Sequence, residues 1–236
     1  MEKSAELIAL EEKHGAHNYH PLPVVLEKGE GVYVWDVEGK RYFDFLSAYS
    51  AVNQGHCHPR IINKLKEQAE KLTLTSRAFY NAELGVYEKF MSELFGFDKI
   101  LPMNTGAEAV ETALKIARKW GYEKKGIPAG EAILVVCKDN FHGRTTTIIS
   151  FSNDEDARKN FNPYTSGFEA VEYNDVNALK QLFEEKAGKI CGFLVEPIQG
   201  EAGVNVPSEG YLKACEELCK QHNVLFIADE IQTGIA

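Results

Sequence analysis

Residues 190–196 read Ile190-Cys191-Gly192-Phe193-Leu194-Val195-Glu196: six apolar or small residues in a row, closed by an acid. A strand that faces water on one side alternates polar with apolar. A strand covered on both faces does not, and such continuous runs belong to parallel sheets. Similar runs stand at Ala132–Cys137 and Val224–Ala228, with further strand candidates at Lys99–Met103 and Ala170–Tyr173. Helical patterns fall between several of them. Thr105-Gly106-Ala107-Glu108 matches a capping box, and Ala109, Val110, Ala113, Leu114, Ala117 and Trp120 supply an apolar stripe behind it. Asp175 and Ser208 are the expected N-caps of helices ending near Gly188 and His222. Strands alternating with helices predict an α/β fold over residues 96–236, with a mostly parallel central sheet flanked by helices.

Residues 1–95 read differently, as a small α+β segment. Leu7, Ile8 and Leu10 predict a helix over residues 3–14 that stops at Gly15. Val32–Trp35 and Tyr42–Phe45 flank Asp36-Val37-Glu38-Gly39 and predict a hairpin. Pro59 opens a helix that sets Ile61, Leu65, Ala69 and Leu72 on one face. A second amphipathic helix, beginning near Asn81, is expected to bury Leu84, Tyr87, Met91 and Leu94.

The composition narrows the function classes. Among 236 residues, 26 Lys and Arg face 35 Asp and Glu, a formal charge of −9, and 44% are hydrophobic. That is an ordinary globular composition, not a disordered one. An acidic balance without a basic patch argues against nucleic acid and anionic membranes as partners. No apolar run approaches the ~20 residues of a spanning helix. The opening Met-Glu-Lys-Ser lacks the order of a secretory signal, so a cytoplasmic protein is expected. Of the five cysteines, Cys137 and Cys191 sit in strand-like runs, and Cys215 and Cys219 lie four apart on one helical face. Buried free thiols in a reducing compartment are the expectation. His56-Cys57-His58 has no second ligand pair at zinc spacing, and no metal is expected there.

In an open α/β sheet, ligands sit outside the carboxyl ends of the strands. Three places qualify by that rule. Asn104-Thr105-Gly106-Ala107 enters a helix N-terminus, where free N–H groups and the helix dipole offer a phosphate seat, or simply a helix start. Asp229, directly after Val224–Ala228, is costly at the end of a buried strand unless it caps a helix or meets a cation such as a protonated heterocycle nitrogen. Glu196 and Glu201 stand five apart on a Gly-containing loop after Ile190–Val195 and form either polar site walls or a solvated loop. Phe141-His142-Gly143-Arg144 adds an aromatic, an imidazole and a guanidinium; the Arg suits two-pronged capture of a carboxylate, or a surface ion pair. Neither a dinucleotide fingerprint nor a P-loop occurs.

A phosphate seat, an aromatic face and an acid at a strand end together describe a site for pyridoxal 5′-phosphate. The chain resembles the class-III, fold-type I aminotransferases, which act on terminal amines, and within them the ornithine-acting branch. The likeness is carried by Ala16-His17-Asn18-Tyr19-His20-Pro21-Leu22-Pro23, by residues 50–59 around Asn53-Gln54-Gly55-His56, and by residues 72–81 around Ser76-Arg77-Ala78-Phe79. It continues through Met103–Ala109, Phe141–Arg144, Glu196–Gly203 and Asp229–Gly234 in the family's order.

The resemblance implies a role for each matching residue. Gly106 and Ala107 would offer N–H groups to the cofactor phosphate, with Thr105 capping the same helix. Phe141 would stack on the pyridine ring, Asp229 would pair with its nitrogen, and Gln232 would contact its phenolic oxygen. Tyr19 and Arg144 would bind the α-amino acid end of ornithine, Tyr49 would shape that pocket, and Glu201 would mask an Arg until 2-oxoglutarate needs it. The implied reaction moves the δ-amino group of ornithine to 2-oxoglutarate, giving glutamate 5-semialdehyde and glutamate. Acetylornithine or 4-aminobutyrate transamination, or a non-catalytic fragment, are the alternatives. The family's Schiff-base Lys lies beyond Asp229–Gly234, in sequence that this chain does not carry. The expectation is therefore an N-terminal part: residues 1–95 contributing to a small domain and the substrate pocket, residues 96–236 an incomplete cofactor-binding domain, and the whole a homodimer.

Overall fold

The computed structural model describes residues 3–235 and divides into two units, the first ending at Gly96 and the second running from Phe97 to Ile235. The first unit holds helix α1 (Lys3–His14), strands β1 (Leu26–Glu30), β2 (Tyr33–Asp36) and β3 (Arg41–Phe43), and helices α2 (Pro59–Lys71) and α3 (Leu84–Phe95). The hairpin expected around Asp36–Gly39 is present as the antiparallel pair β2–β3, with Tyr33 opposite Phe43 and Trp35 opposite Arg41. Asp36 organises its turn: the carboxylate accepts from Lys40 N (2.8 Å), Glu38 N (3.1 Å) and the Tyr42 hydroxyl (2.7 Å). The strand β1, paired antiparallel to β2, was not expected; its Leu-Glu-Lys-Gly-Glu sequence carries almost no β signal and owes its pairing to the neighbour.

Helices α2 and α3 form where the pattern puts them, but their apolar faces are not buried. No residue of either is buried, and Ile61, Leu65, Tyr87 and Leu94 are exposed. This corrects the expectation for α3. Periodicity reports which face is apolar, and covering that face takes a partner element that none of the described residues supplies.

The second unit contains helix α4 (Gly106–Trp120), strand β4 (Ile133–Cys137), the short helix α5 (Glu155–Arg158), strand β5 (Phe168–Val171), helix α6 (Val176–Lys186), strand β6 (Ile190–Val195), helix α7 (Tyr211–Gln221) and strand β7 (Leu225–Ala228). Its four strands are all parallel, in the order β5-β4-β6-β7, with β5 and β7 at the edges. The α/β expectation is thus met. Strand geometry then explains the continuous apolar runs. Val135 and Cys137 of β4 with Phe193 and Val195 of β6 pack against Leu179 and Phe183 of α6 and Cys215, Leu218 and Cys219 of α7. Leu134 and Val136 with Leu194 turn the other way, onto Val110, Leu114 and Ala117 of α4. In the central strands β4 and β6 successive side chains feed opposite cores, so no position is left for a polar residue there; the edge strand β5 does carry one, Glu169.

Two local expectations fail. Lys99–Met103 is not a strand, and Leu101 is exposed. A strand exists only through its ladder, and among the described residues no neighbour pairs with it. Ser208 is not the N-cap of α7; that position falls on Gly210, while the Ser208 hydroxyl donates to Asn174 Oδ1 at 2.7 Å. Asp175 does cap α6, accepting from Ala178 N at 3.0 Å.

Phe183 has no exposed surface and spans from α6 to the sheet. Phe183→Ala should therefore lower the unfolding free energy of the second unit by about 3–5 kcal/mol. Denaturant titration followed by far-ultraviolet circular dichroism checks it; a loss below about 1 kcal/mol would mean that this core collapses freely around the gap.

Candidate active site

Three strands of the second unit end on polar residues at one edge of the sheet. After β4 come Asn140, Phe141, His142 and Arg144, after β6 comes Glu196, and after β7 comes Asp229. The N-terminus of α4 joins them. Thr105 Oγ1 accepts from Glu108 N at 3.1 Å, and Glu108 returns a carboxylate oxygen to Asn104 N at 2.9 Å. With Ala109 N bonded to Thr105 O at 3.0 Å, Gly106 and Ala107 supply the open N–H groups of the first turn.

Two glycines let the pieces close up. A Cβ on Gly106 would lie 2.9 Å from Ile231 Cγ2, so the α4 turn touches the segment that follows Asp229 only because this residue has no side chain. Gly143, at φ +121°, adopts a backbone conformation closed to other residues, and a Cβ there would meet the Ala107 Cβ at 3.0 Å. The loop after β4 and the first turn of α4 are therefore in van der Waals contact.

Asp229 is held on all sides. Its backbone N–H donates to Val195 O at 2.8 Å, its Oδ1 accepts from Ile231 N at 3.1 Å, and its Oδ2 lies 2.6 Å from His142 Nδ1. The side chains of His142 and Asp229 are 0% and 6% exposed. The His142 Nε2 is buried without a hydrogen-bond partner among the described residues. Nδ1 is accordingly the nitrogen that carries the proton and donates it to Asp229. The sequence reading gave His142 no role. The only available signal was its position two residues from Arg144 at the same strand-end edge as Asp229.

Glu196 is buried as well, and its Oε2 accepts from Phe141 N at 3.1 Å. Burial pushes its carboxyl from 4.5 up to about 7, against the pull of His142 and the Phe141 N–H. The loop beyond is fastened by Tyr173, whose hydroxyl donates to Pro197 O at 2.9 Å, and by Gln199, whose Nε2 donates to Lys138 O at 2.8 Å. Glu201 rides on a small turn closed by the mutual backbone bonds of Gln199 and Asn205, and Gln232 Nε2 donates to Glu201 Oε1 at 3.3 Å. Phe141 is 41% exposed, with the Arg144 guanidinium 5.8 Å from its ring centre. Of the residues singled out from sequence, Thr105, Gly106, Ala107, Phe141, Arg144, Glu201, Asp229 and Gln232 thus lie in the second unit, in a connected set of contacts. Tyr19 and Tyr49 belong to the first unit, where both are exposed and Tyr49 has a left-handed φ of +56°.

The raised Glu196 value fixes a sign. Between pH 4.5 and about 7 the folded chain binds more protons than the unfolded chain, so this group makes stability fall as pH rises through that window. Glu196→Gln, which keeps an acceptor for Phe141 N, should gain stability over the unsubstituted chain from pH 5 to pH 8. Parallel urea midpoints at the two pH values would contradict this.

Residues 14–236 match the model of the aminotransferase class-III family. The ornithine aminotransferase, mitochondrial, of Drosophila melanogaster is 61% identical over 99% of this chain and 54% of its own length. The crystal structure of the ornithine aminotransferase from Toxoplasma gondii ME49 superposes with a TM-score of 0.96 at 51% identity, covering 99% of this chain and 55% of that one. The acetylornithine aminotransferase of Elizabethkingia anophelis superposes with a TM-score of 0.88 at 66% identity, covering 100% and 57%. The chain spans about half the length of the relatives it matches. With the parallel sheet, the helix turn open to an anion and the acid at the end of β7 in the family's order, this chain belongs to the class-III aminotransferases.

Proposed function

We propose that the protein this chain represents transfers the δ-amino group of ornithine to 2-oxoglutarate through pyridoxal 5′-phosphate, yielding glutamate 5-semialdehyde and glutamate. The observation that carries the reading is the contact between the α4 turn and the segment after Asp229. It brings two open N–H groups and a buried carboxylate to one edge of the sheet. The residues present fit the cofactor. A phosphate needs amide donors without a Cβ in the way, a pyridinium nitrogen needs an anion, and the ring needs an apolar face; Gly106 and Ala107, Asp229, and Phe141 answer these in turn. When bound, the cofactor supplies an electron sink for the carbanion formed at the substrate's amine carbon.

The chain's own residues then bind and orient. Gly106 and Ala107 hold the phosphate, and Thr105 keeps their helix capped. Asp229 would hold a proton on the ring nitrogen, Phe141 would cover the ring, and Gln232 would contact the phenolic oxygen. Arg144 would take the α-carboxylate end of ornithine and leave the δ-amine as the reacting end, and Tyr19 and Tyr49 of the first unit keep the substrate-binding roles that the family likeness implies. Glu201 is the carboxylate that exchanges partners between the two substrates. Free cysteines, four of them buried, support a reducing compartment, for which we infer the cytoplasm. Phe45, Leu74 and Tyr80, large and widely exposed, support a homodimer.

The relatives at 55–61% identity that carry the ornithine aminotransferase name favour ornithine. The 66% identity to an acetylornithine aminotransferase favours a second reading, with N-acetylornithine as amino donor. Steady-state kinetics of the full-length protein with ornithine, N-acetylornithine and 4-aminobutyrate decides, and a higher kcat/KM for ornithine is the expected outcome.

Two substitutions in the full-length protein follow. Asp229→Ala leaves the ring nitrogen without its counter-charge, a loss of about 3–5 kcal/mol that amounts to roughly two to four decades in kcat; near-normal turnover would reduce Asp229 to a turn-forming residue. Arg144→Lys removes the planar two-donor fork and should weaken the half-reaction from ornithine more than the one from glutamate. Single-turnover absorbance separates the two halves, and equal losses would remove Arg144 from ornithine binding.

A further inference from the structure

The bond between His142 and Asp229 has no part in the reading above, although it joins two side chains that are 0% and 6% exposed. We propose that His142 is a positioning residue: its Nδ1–H fixes the Asp229 carboxylate so that the acid stays aimed at, and charged toward, a ring nitrogen. The proposal rests on the assignment of Asp229 to that nitrogen and adds the group behind it.

The geometry is specific. A carboxylate on a strand end turns about its last bond unless both oxygens are engaged. Here Oδ1 is engaged by the Ile231 N–H at 3.1 Å and Oδ2 by His142 at 2.6 Å, a length typical of a hydrogen bond to a charged acceptor. The donor is itself immobile. His142 is completely enclosed, with the Phe151 ring centre 6.0 Å from its own and Gly143 next to it in a conformation that only glycine adopts freely. Among the described residues no second acceptor competes for it. The nearby Glu196 is engaged by the Phe141 N–H, and Nε2 has no partner among the described residues. The Nδ1–H donated to Asp229 takes one lone pair of one carboxylate oxygen and leaves others free to accept from a ring nitrogen. The other acids that bear on this cluster are Glu196 and Glu201.

The test uses full-length protein and 4′-deoxypyridoxine 5′-phosphate, which has the ring nitrogen and the phosphate but no aldehyde, so no Lys is required. Its ultraviolet band reports the pH at which the bound ring nitrogen loses its proton. His142→Leu removes the donor at similar volume, and His142→Asn keeps an N–H near the place of Nδ1. His142→Gln puts its amide near the place of Nε2, away from Asp229. The expected result is that the Leu and Gln variants release the nitrogen proton at least one pH unit lower, a tenfold loss of proton affinity, while the Asn variant stays with the unsubstituted protein. A Leu or Gln variant that titrates with the unsubstituted protein would overturn the proposal, as would an Asn variant that falls with them. If Leu does not fold, Gln against Asn carries the same comparison. Asp229→Asn separates the two readings. If it leaves the titration unmoved, the ring-nitrogen role of Asp229 fails and the positioning role with it. If it moves the titration and His142→Leu does not, His142 alone loses its role.

Discussion

Burial of the two central strands, β4 and β6, on both faces is the constraint from which the second unit follows. A parallel strand lined by α4 on one side and by α6 and α7 on the other has no tolerance for an unpaired polar side chain. Polar chemistry is thereby expelled to the ends of the strands, and because the strands are parallel it is expelled to one edge. Glu196 and Asp229 are the first groups past that limit on their strands, and Asn140 and His142 follow within five residues of the end of β4. The site is built from what the core excludes. There the groups engage one another, His142 with Asp229 and Glu196 with the Phe141 N–H, while His142 Nε2 and Asn140 Oδ1 have no partner among the described residues.

This constraint is also why so much could be read in advance. A run such as Leu134-Val135-Val136-Cys137 has no other stable use at that length, and an Asp directly behind Leu225–Ala228 stands out against it. Capping chemistry is equally local: Thr105 with Glu108, and Asp175 with Ala178, are decided within four residues. The positions of Asp229 and Gly106 were legible on these grounds, and the roles given to them and to Phe141 are those the family likeness implies.

What was not legible depends on neighbours remote in sequence. His142 and Asp229 are 87 positions apart, and nothing beside either one announces the other. Lys99–Met103 has the composition of a strand and lacks a ladder to join. β1 is the converse, a run with a poor composition that β2 recruits. The apolar stripes of α2 and α3 were read correctly as stripes; covering them requires surfaces that these residues do not contain.

One edge of the parallel sheet carries a further meaning. β7 is Leu-Phe-Ile-Ala, without a charge, a proline or a bulge, and no strand among the described residues pairs with its outer side. Natural edge strands guard that row of N–H and C=O groups with exactly such devices, because an unguarded row templates the addition of another chain. Among the described residues, the outer side of β7 therefore keeps a row of N–H and C=O groups open to a further strand, and a strand laid there would act on the backbone that aims Asp229.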